Sequence, residues 1–304
     1  MPSLHVLPRA HGLRCSRVSI ATPLIPTGTT SYSYSFTNSG QKDPRAITTA
    51  SMATTTTATT SKCDGLSVEQ IKAANREMKA MIKNTVNGSA DGVKPVAVFV
   101  GATSGLGLMA MRKWVELIDD VGGRVYFVGR NKEAANEIIT SLSQTSPKVE
   151  LTFLHTPDIA LLSNASQIAS TIAAKESHLN LLVLSQGLIT LSNTRDPTPE
   201  GIDRKMATHV YSRFLIARRL LPLLQKAHDI SSSSSISTAS SSSSETGKVN
   251  ESDLSLSRQE NYSNAKCAAQ ASAMNTVLLE HLSTLHPQLG WMHVFPGVVE
   301  TGLM

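Results

Sequence analysis

The sequence predicts an α/β protein with a doubly wound parallel sheet of about six strands, and three observations lead to this class. Short, continuous apolar runs such as Val96–Val100 are typical of strands buried on both faces. Stretches of helical period separate these runs, and a glycine-rich turn follows the first of them. Because parallel strands need crossover connections that are usually helices, this alternation favours a parallel sheet with helices on both faces.

The predicted elements alternate from residue 96 to residue 295. A preceding helix is predicted from Ser67 to Ile82, because Ser67 and Gln70 have the spacing of a capping box. The strands are predicted at 96–100, 124–128, 149–154, 179–184, within 231–244, and at 290–295. The helices between them are predicted at 106–118, 131–143, 160–174, 199–226 and 260–285. The fifth strand is placed by its order in the chain, since residues 231–244 are serine-rich, low-complexity sequence.

Residues 1–60 are predicted to be a disordered or targeting leader, and residues 61–304 a single domain. Thr and Ser dominate residues 27–61, which carry no period that could bury a face. An acid-poor start with Arg and Ser has the composition of a mitochondrial transit peptide, although four prolines interrupt any helix there. A disordered extension and a true start at Met52 stay open. The predicted location is cytoplasmic, or mitochondrial if the leader is a targeting sequence.

Composition excludes several classes of protein. No apolar stretch approaches the roughly 18 residues of a membrane span. Cys15, Cys63 and Cys267 lie far apart, which argues against a disulfide framework and a zinc site, and no metal is predicted. The net charge of +5 is not gathered in a basic run, so nucleic-acid binding is not predicted.

The turn after the first strand has the composition of a dinucleotide-binding loop. It contains Gly101, Thr103, Ser104, Gly105, Leu106 and Gly107. Glycines permit a tight turn and let a pyrophosphate approach backbone N–H groups at a helix N-terminus. The strand before the loop and the helix after it supply the context that this interpretation needs.

The end of the second strand predicts NADP(H), with NAD less favoured. Arg130 and Asn131 stand where a carboxylate would bind the ribose hydroxyls of NAD, and a cation would instead pair with a ribose phosphate. A solvated surface arginine is the alternative interpretation of Arg130.

Tyr262 and Lys266 form a Tyr-x-x-x-Lys pattern on the predicted helix 260–285. Residues four apart share one helix face, so the ammonium is expected to lower the pKa of the phenol. Tyr262 could then exchange a proton with a carbonyl or alcohol oxygen while hydride moves to or from a nicotinamide.

With its G-x-x-x-G-x-G spacing, the chain resembles the short-chain dehydrogenase/reductase family over residues 95–304. Ser185 and Gly187 after the fourth strand, and the stretch 209–213, resemble fungal members that act in secondary metabolism. The resemblance implies a Rossmann sheet, a small carbonyl or alcohol substrate and a homo-oligomer. It also implies site residues: Asp158 at the adenine (or as a helix N-cap), Lys266 at the nicotinamide ribose, Ser237 or Ser240 at the substrate oxygen, His209 in a proton relay, and Pro296, Gly297, Val298 and Thr301 beside the nicotinamide.

The family normally continues beyond the Pro-Gly segment, and we expect its final strand and substrate lid to be absent from this chain. Two functions therefore stay open. The first is an NADP(H)-dependent oxidoreductase that interconverts a ketone and a secondary alcohol on a small lipophilic metabolite. The second is a catalytically impaired Rossmann protein that binds dinucleotide as a sensor or partner subunit.

Overall fold

A computed structural model describes residues 20–21, 67–88, 92–190, 192–231, 235–239 and 249–294. Its centre is one sheet with the strand order β1-β7-β6-β5-β2-β3-β4. The strands are β1 (Ile20–Ala21), β2 (Val96–Val100), β3 (Gly123–Gly129), β4 (Val149–His155), β5 (Leu181–Leu184), β6 (Ser235–Ala239) and β7 (Gly290–Val294). Strands β2 to β7 are parallel. The predicted six-stranded, doubly wound parallel sheet is confirmed.

Seven α-helices flank the sheet within the part of the chain that the structure describes. They are α1 (Val68–Gly88), α2 (Gly105–Ile118), α3 (Lys132–Thr145), α4 (Leu162–Lys175), α5 (Arg204–Met206), α6 (Ser212–Ser231) and α7 (Asn264–Leu285). A π-helical segment, Ala207–Tyr211, joins α5 to α6. No helix among the described residues is long and apolar enough to cross a membrane.

The sheet separates two apolar layers. On one face, side chains of α4, α6 and α7 pack with Leu182, Ile236 and Trp291 of the strands. On the other face, α2 and α3 pack against the opposite sides of β2 and β3. All five residues of β2 are buried, as expected of a central strand covered on both sides.

Strand β6 forms within the serine-rich segment despite the low β-propensity of that composition. It pairs with β5 on one side and β7 on the other, and Ile236 is fully buried in the layer shared with α6 and α7. The hydrogen bonds to both neighbouring strands and the burial of Ile236 therefore outweigh the low β-propensity of the serine residues.

Strand β1 was not predicted. Ile20 and Ala21 lie within the stretch assigned to a leader, yet they pair antiparallel with Met292 and Trp291 of β7. Strand β1 thus covers the edge of β7 at Trp291 and Met292.

A partly buried ion pair joins Arg124, near the start of β3, to Glu176, which follows α4. The Glu176 side chain is 1% exposed and accepts hydrogen bonds from Arg124 Nε (2.7 Å) and from the Tyr126 hydroxyl (2.6 Å). Burial alone would raise the pKa of Glu176, but the hydrogen bonds from Arg124 and Tyr126 outweigh burial and hold this pKa below its usual value.

We expect Glu176→Ala to lower the free energy of unfolding by about 3 kcal/mol, because it leaves Arg124 and the Tyr126 hydroxyl without their acceptor. Because the folded pKa of Glu176 is depressed, its contribution is present above the unfolded value of 4.5 and is lost as the pH falls through the folded pKa. Urea denaturation at pH 7 and at acid pH measures both effects. Glu137→Ala, at an exposed position of α3, is the control and should change stability by less than about 0.5 kcal/mol. Equal losses for the two variants would contradict the prediction.

Candidate active site

The turn after β2 lies directly against the turn after β5, where the strand order reverses. Gly101 has φ +81°, and a Cβ there would lie 2.7 Å from the backbone of Gln186. At Gly107 a Cβ would lie 2.3 Å from the Ser185 hydroxyl oxygen. That hydroxyl in turn donates to the carbonyl oxygen of Val100 at 2.8 Å. Glycine is therefore required at both positions by the close approach of the two turns.

The N-terminus of α2 fits the pyrophosphate of a dinucleotide. Ser104 precedes the helix in extended backbone, and its side chain makes no capping hydrogen bond with the helix N–H groups. These N–H groups carry the positive end of the helix dipole and bind phosphates in this kind of turn. Thr103 fixes the turn to the end of β3, since a Cβ at Gly129 would lie 2.4 Å from the Thr103 methyl carbon. Gly105, with φ +56°, and Leu106 complete the turn.

Arg130 is exposed at the tip of β3, as its proposed phosphate contact requires. Its neighbour Asn131 is the N-cap of α3, and the Asn131 side chain accepts from the N–H of Ala134 at 2.9 Å. Asn131 therefore has a structural role in addition to its predicted place beside the cofactor.

Asp158 does not cap α4, so this alternative is wrong. The helix begins at Leu162, and the Glu200 carboxylate caps it by accepting from the N–H groups of Leu162 (2.7 Å) and Ser163 (3.0 Å). Asp158 instead accepts from the N–H of Ala160 at 2.9 Å and pairs with Arg204. Its contact with adenine stays a prediction.

Tyr262 precedes α7 and does not lie on it. Its backbone is extended, and Ser263 is the N-cap of α7, accepting from the N–H of Lys266 at 3.2 Å. The prediction that Tyr262 and Lys266 share a helix face is therefore wrong, because the serine between them starts the helix.

The Tyr262 side chain is buried in one apolar cluster with Met206, Val210 and Leu256, and Cys267 and Asp203 lie near its phenol. Burial, followed by Cys267 and Asp203, raises the pKa of Tyr262. The expected lowering by Lys266 is not found in this geometry, and the phenol is protonated at neutral pH.

Lys266 is exposed on the first turn of α7 and lines a cavity of about 330 Å³. The other lining residues are Val249, Asn250, Leu256, Asn261, Ala269 and Gln270. Gln270 ties this loop to α7 by donating to the carbonyl oxygens of Asp253 (3.2 Å) and Leu254 (2.8 Å). Among the described residues, no hydrogen bond joins Lys266 to the Tyr262 phenol, and Lys266 is not among the groups that shift the pKa of Tyr262.

Ser237 lies on the opposite side of the sheet from α7. Its register partner in β5 is Val183, which packs with the layer of α2 and α3, whereas its neighbour Ile236 packs with α6 and α7. Alternate strand residues face opposite sides, so Ser237 is not brought to Tyr262. Of the other predicted site residues, Ser240, Pro296, Gly297, Val298 and Thr301 lie outside the described residues.

His209 lies inside the π-helical segment and closes over the turn after β5. Its Nε2 atom is 3.1 Å from both the N–H and the carbonyl oxygen of Leu188, and its backbone carbonyl accepts from the Asn275 side chain at 2.8 Å. Burial, followed by the charge of Arg213, lowers the pKa of His209 to about 4, so the ring is neutral at pH 7. His209 thus sits beside Gly187, where a Cβ would lie 3.3 Å from its ring.

The model of the short chain dehydrogenase family matches residues 95–304, more than two thirds of the chain. The chain belongs to this family. The match begins at β2 and includes the glycine turn, the π-helical segment and Tyr262 with Lys266. The predicted family membership is confirmed.

Curated relatives in the short-chain dehydrogenase family include several fungal oxidoreductases. Oxidoreductase AN1596 of Emericella nidulans is 30% identical over 238 residues, which cover 78% of this chain and 65% of that protein. Oxidoreductase andH of Emericella variicolor is 30% identical over 69% of this chain and 59% of its own length. The short-chain dehydrogenase/reductase SAT2 of Stachybotrys chartarum is 27% identical over 72% and 65%. The chain thus spans about three fifths to two thirds of the length of these relatives.

Solved short-chain dehydrogenase structures share the fold. A short-chain dehydrogenase from Sphingobium yanoikuyae in complex with NADPH superposes with a TM-score of 0.52 at 16% identity, covering 69% of this chain and 73% of that one. NADH-dependent reductase A1-R′ complexed with NAD gives 0.51 at 18% identity, covering 68% and 79%.

Sequence reasoning missed two buried polar residues of this short-chain dehydrogenase site. Asp203 is fully buried and caps α5 by accepting from the N–H groups of Lys205 and Met206, and its charge helps to raise the pKa of Tyr262. The sequence did contain a signal for Asp203, because an Asp directly before a helix is a common N-cap residue. Arg213, 3% exposed on α6, gave no such signal, because its burial depends on tertiary packing.

Proposed function

We propose that the protein is an NADP(H)-dependent oxidoreductase that interconverts a ketone and a secondary alcohol on a small lipophilic metabolite, in fungal-type secondary metabolism. The observation that supports this proposal most is the close contact between the turn after β2 and the turn after β5, where the strand order of the sheet reverses. The contact leaves no room for a side chain at Gly101 or Gly107. The N–H groups at the N-terminus of α2 are in turn available to bind a pyrophosphate. The names of the curated relatives as oxidoreductases support the same activity class.

In this proposal the chain's own residues bind the dinucleotide and handle one proton. The turn 101–107 holds the pyrophosphate, Ser185 and Gly187 line the path towards the ring, and Lys266 holds the ribose. Tyr262, whose pKa is raised, is a proton donor to a carbonyl oxygen at neutral pH. A bound nicotinamide would supply the hydride. Because the phenol faces Asp203 in the described geometry, this role requires Tyr262 to turn towards the substrate.

The preference for NADP(H) rests on Arg130. We expect Arg130→Asp to weaken NADPH binding at least tenfold and to leave or improve NADH binding, because a carboxylate repels the ribose phosphate and accepts from ribose hydroxyls. Fluorescence titration of both reduced dinucleotides measures the two affinities. Arg112→Asp, at an exposed position of α2, makes the same charge change away from the β3 tip and controls for net charge. If both variants lost NADPH affinity equally, Arg130 would be a surface residue that does not contact the ribose phosphate.

The second candidate, a Rossmann protein that binds dinucleotide without turning over substrate, is favoured by one observation. Tyr262 lies near Asp203 and Cys267, whereas Lys266 lines a cavity whose lining does not include Tyr262, and Lys266 is not among the groups that shift the pKa of Tyr262. NADPH oxidation against a panel of lipophilic ketones separates the two functions. Turnover that Tyr262→Phe removes supports the oxidoreductase. NADPH binding without turnover on any ketone supports the sensor or partner subunit.

A further inference from the structure

One carboxylate organises the loop of residues 250–261, which we call the 250–261 loop. Asp253 is 6% exposed, and its Oδ1 atom accepts from the N–H (2.7 Å) and the hydroxyl (2.8 Å) of Ser257. Its Oδ2 atom accepts from the N–H of Arg258 at 3.0 Å and from the side-chain amide of Asn261 at 2.8 Å. These hydrogen bonds, led by that from Asn261, hold the pKa of Asp253 well below its usual range. The ionised Asp253 side chain thus fixes three later positions of the loop.

The 250–261 loop is also closed onto α7, the helix that follows it. Gln270 of α7 is 3% exposed, and its Oε1 atom accepts from the N–H of Asn250 at 3.0 Å. The Gln270 Nε2 atom donates to the carbonyl oxygens of Asp253 (3.2 Å) and Leu254 (2.8 Å). The start of the loop is therefore held by the helix, and its later part is held by the carboxylate of Asp253.

The loop places Leu256 in the apolar cluster that contains Tyr262. Leu256 is 1% exposed, and its φ of +49° lies in the left-handed region that leucine rarely adopts. Such a backbone conformation persists where the surrounding contacts impose it. The carbonyl oxygen of Asp253 accepts from the N–H of Leu256 at 3.0 Å, and its carboxylate accepts from the next two N–H groups of the chain. Asp253 therefore supports the strained conformation of Leu256 from both sides.

The backbone of Tyr262 depends on the same loop. The N–H of Tyr262 donates to the carbonyl oxygen of Gln259 at 3.1 Å, and the preceding residue, Asn261, donates to Asp253. A general acid works only within hydrogen-bond reach of the oxygen that it protonates. Because a displacement of about 1 Å can lower a rate a hundredfold, a shift of this backbone would slow proton transfer.

We propose that Asp253 is a positioning residue for proton transfer. Its carboxylate holds the 250–261 loop so that Leu256 and the backbone at Asn261 fix the point from which the Tyr262 phenol turns to the substrate oxygen. Asp253 acts through Tyr262 and not on the reacting atoms. The inference rests on the proposed function, in which Tyr262 donates the proton, and adds a residue on which that step depends.

Asp253→Asn tests this role by exchanging one acceptor for a donor. The amide keeps an oxygen for Ser257 but turns its NH₂ group towards the N–H of Arg258 and the amide of Asn261, which are donors as well. We expect kcat for ketone reduction by NADPH to fall about tenfold to a hundredfold. The KM for the ketone and the affinity for NADPH should stay within about threefold, because the loss lies in the proton-transfer geometry.

An exchange variant tests whether the hydrogen bond between residues 253 and 261 carries the effect. Combining Asp253→Asn with Asn261→Asp restores one donor and one acceptor between the two side chains, with their roles reversed. The kcat of this double variant should be at least about threefold higher than that of Asp253→Asn alone. A merely structural loss at position 253 would be deepened by a second substitution in the same loop.

Three other variants separate positioning from folding and from charge. Glu176→Ala removes the ion pair with Arg124 elsewhere in the fold, so it lowers stability but should leave kcat of the folded protein within about twofold. Asp229→Asn removes one negative charge at an exposed position of α6 and should leave kcat unchanged. Ser257→Ala removes only the hydroxyl donor and should lower kcat about threefold, which keeps the test decisive if Asp253→Asn fails to fold.

The titration of the Tyr262 phenol gives a readout that does not need turnover. Burial, followed by Cys267 and Asp203, raises the pKa of Tyr262 above its ordinary value of 10. If Asp253→Asn loosens the loop and exposes the phenol, this pKa should fall towards 10 and tyrosinate absorbance should appear at lower pH. Burial and the charge of Asp253 also raise the pKa of Tyr211. Subtracting the titrations measured with and without Tyr262→Phe isolates the signal of Tyr262.

The outcomes distinguish the positioning role from the proposed function. A lower kcat with KM preserved, a recovery in the exchange variant and a lowered Tyr262 pKa support the role of Asp253. If Tyr262→Phe abolishes turnover while Asp253→Asn and Ser257→Ala keep the wild-type kcat, the positioning role is overturned and the proposed function stands. If no ketone is reduced, the proposed function fails and the titration decides. A Tyr262 titration that is unchanged in Asp253→Asn then overturns the positioning of Tyr262, and a lowered one supports it.

Discussion

Replacing Tyr262 by phenylalanine is expected to lower kcat for ketone reduction by about 10²- to 10⁴-fold, the usual contribution of a positioned general acid. The affinity for NADPH should stay within about twofold, because the proposed role of the phenol is at the reacting oxygen and not at the dinucleotide. Stopped-flow or steady-state NADPH oxidation gives kcat, and fluorescence titration gives the affinity. A loss of this size would mean that the phenol leaves Asp203 and Cys267 during turnover.

Lys266→Met gives the contrasting result. If Lys266 holds the nicotinamide ribose as well as assisting Tyr262, both kcat and NADPH affinity should fall. Tyr211→Phe is the matched control, since Tyr211 packs beside the same apolar cluster and burial also raises its pKa. It should change kcat less than about twofold. A similar, small effect of Tyr262→Phe and Tyr211→Phe would show that Tyr262 is a packing residue and would support the dinucleotide-binding alternative.

The fold was predictable because its signals are local and mutually consistent. The run Val96–Val100 is continuous and apolar, and it forms the fully buried β2 with the predicted bounds. Even β6 was placed correctly within residues 231–244, because a doubly wound sheet needs a strand between the helix that became α6 and the helix that became α7. Helix ends were predicted less well where a side chain from another segment caps the helix, as Glu200 caps α4.

The sequence predicted the glycines of the candidate site, but it did not predict how Tyr262 and Lys266 are arranged. Gly101 and Gly107 lie in the predicted turn, at the close approach to Gln186 and Ser185, and this turn was predictable because strand, turn and helix are contiguous in the sequence. Tyr262 was placed on α7 because the spacing to Lys266 matched a helix, while Ser263, a strong N-cap residue, starts the helix after it. Arg213 could not be predicted, since a buried cation on α6 depends on residues far away in the sequence.

Gly101→Ala is expected to have the largest effect on cofactor binding. An alanine at φ +81° is strained, and its Cβ would lie 2.7 Å from backbone atoms of Gln186, which cannot move aside as a flexible side chain could. Relief of this contact must separate the turns after β2 and β5, and that separation distorts the N–H groups offered to the pyrophosphate. We expect NADPH affinity to fall at least a hundredfold and the free energy of unfolding to fall by about 2–4 kcal/mol.

Gly201→Ala separates the two causes of this loss. Gly201 has the same φ of +81°, but nothing lies within 4 Å of a Cβ placed there. Its alanine variant therefore reports backbone strain alone, which should cost about 1 kcal/mol and leave NADPH affinity unchanged. Thermal denaturation and NADPH titration of both variants give the comparison. If Gly101→Ala is no more harmful than Gly201→Ala, the approach of the two turns does not shape the dinucleotide site, and the pyrophosphate must bind elsewhere.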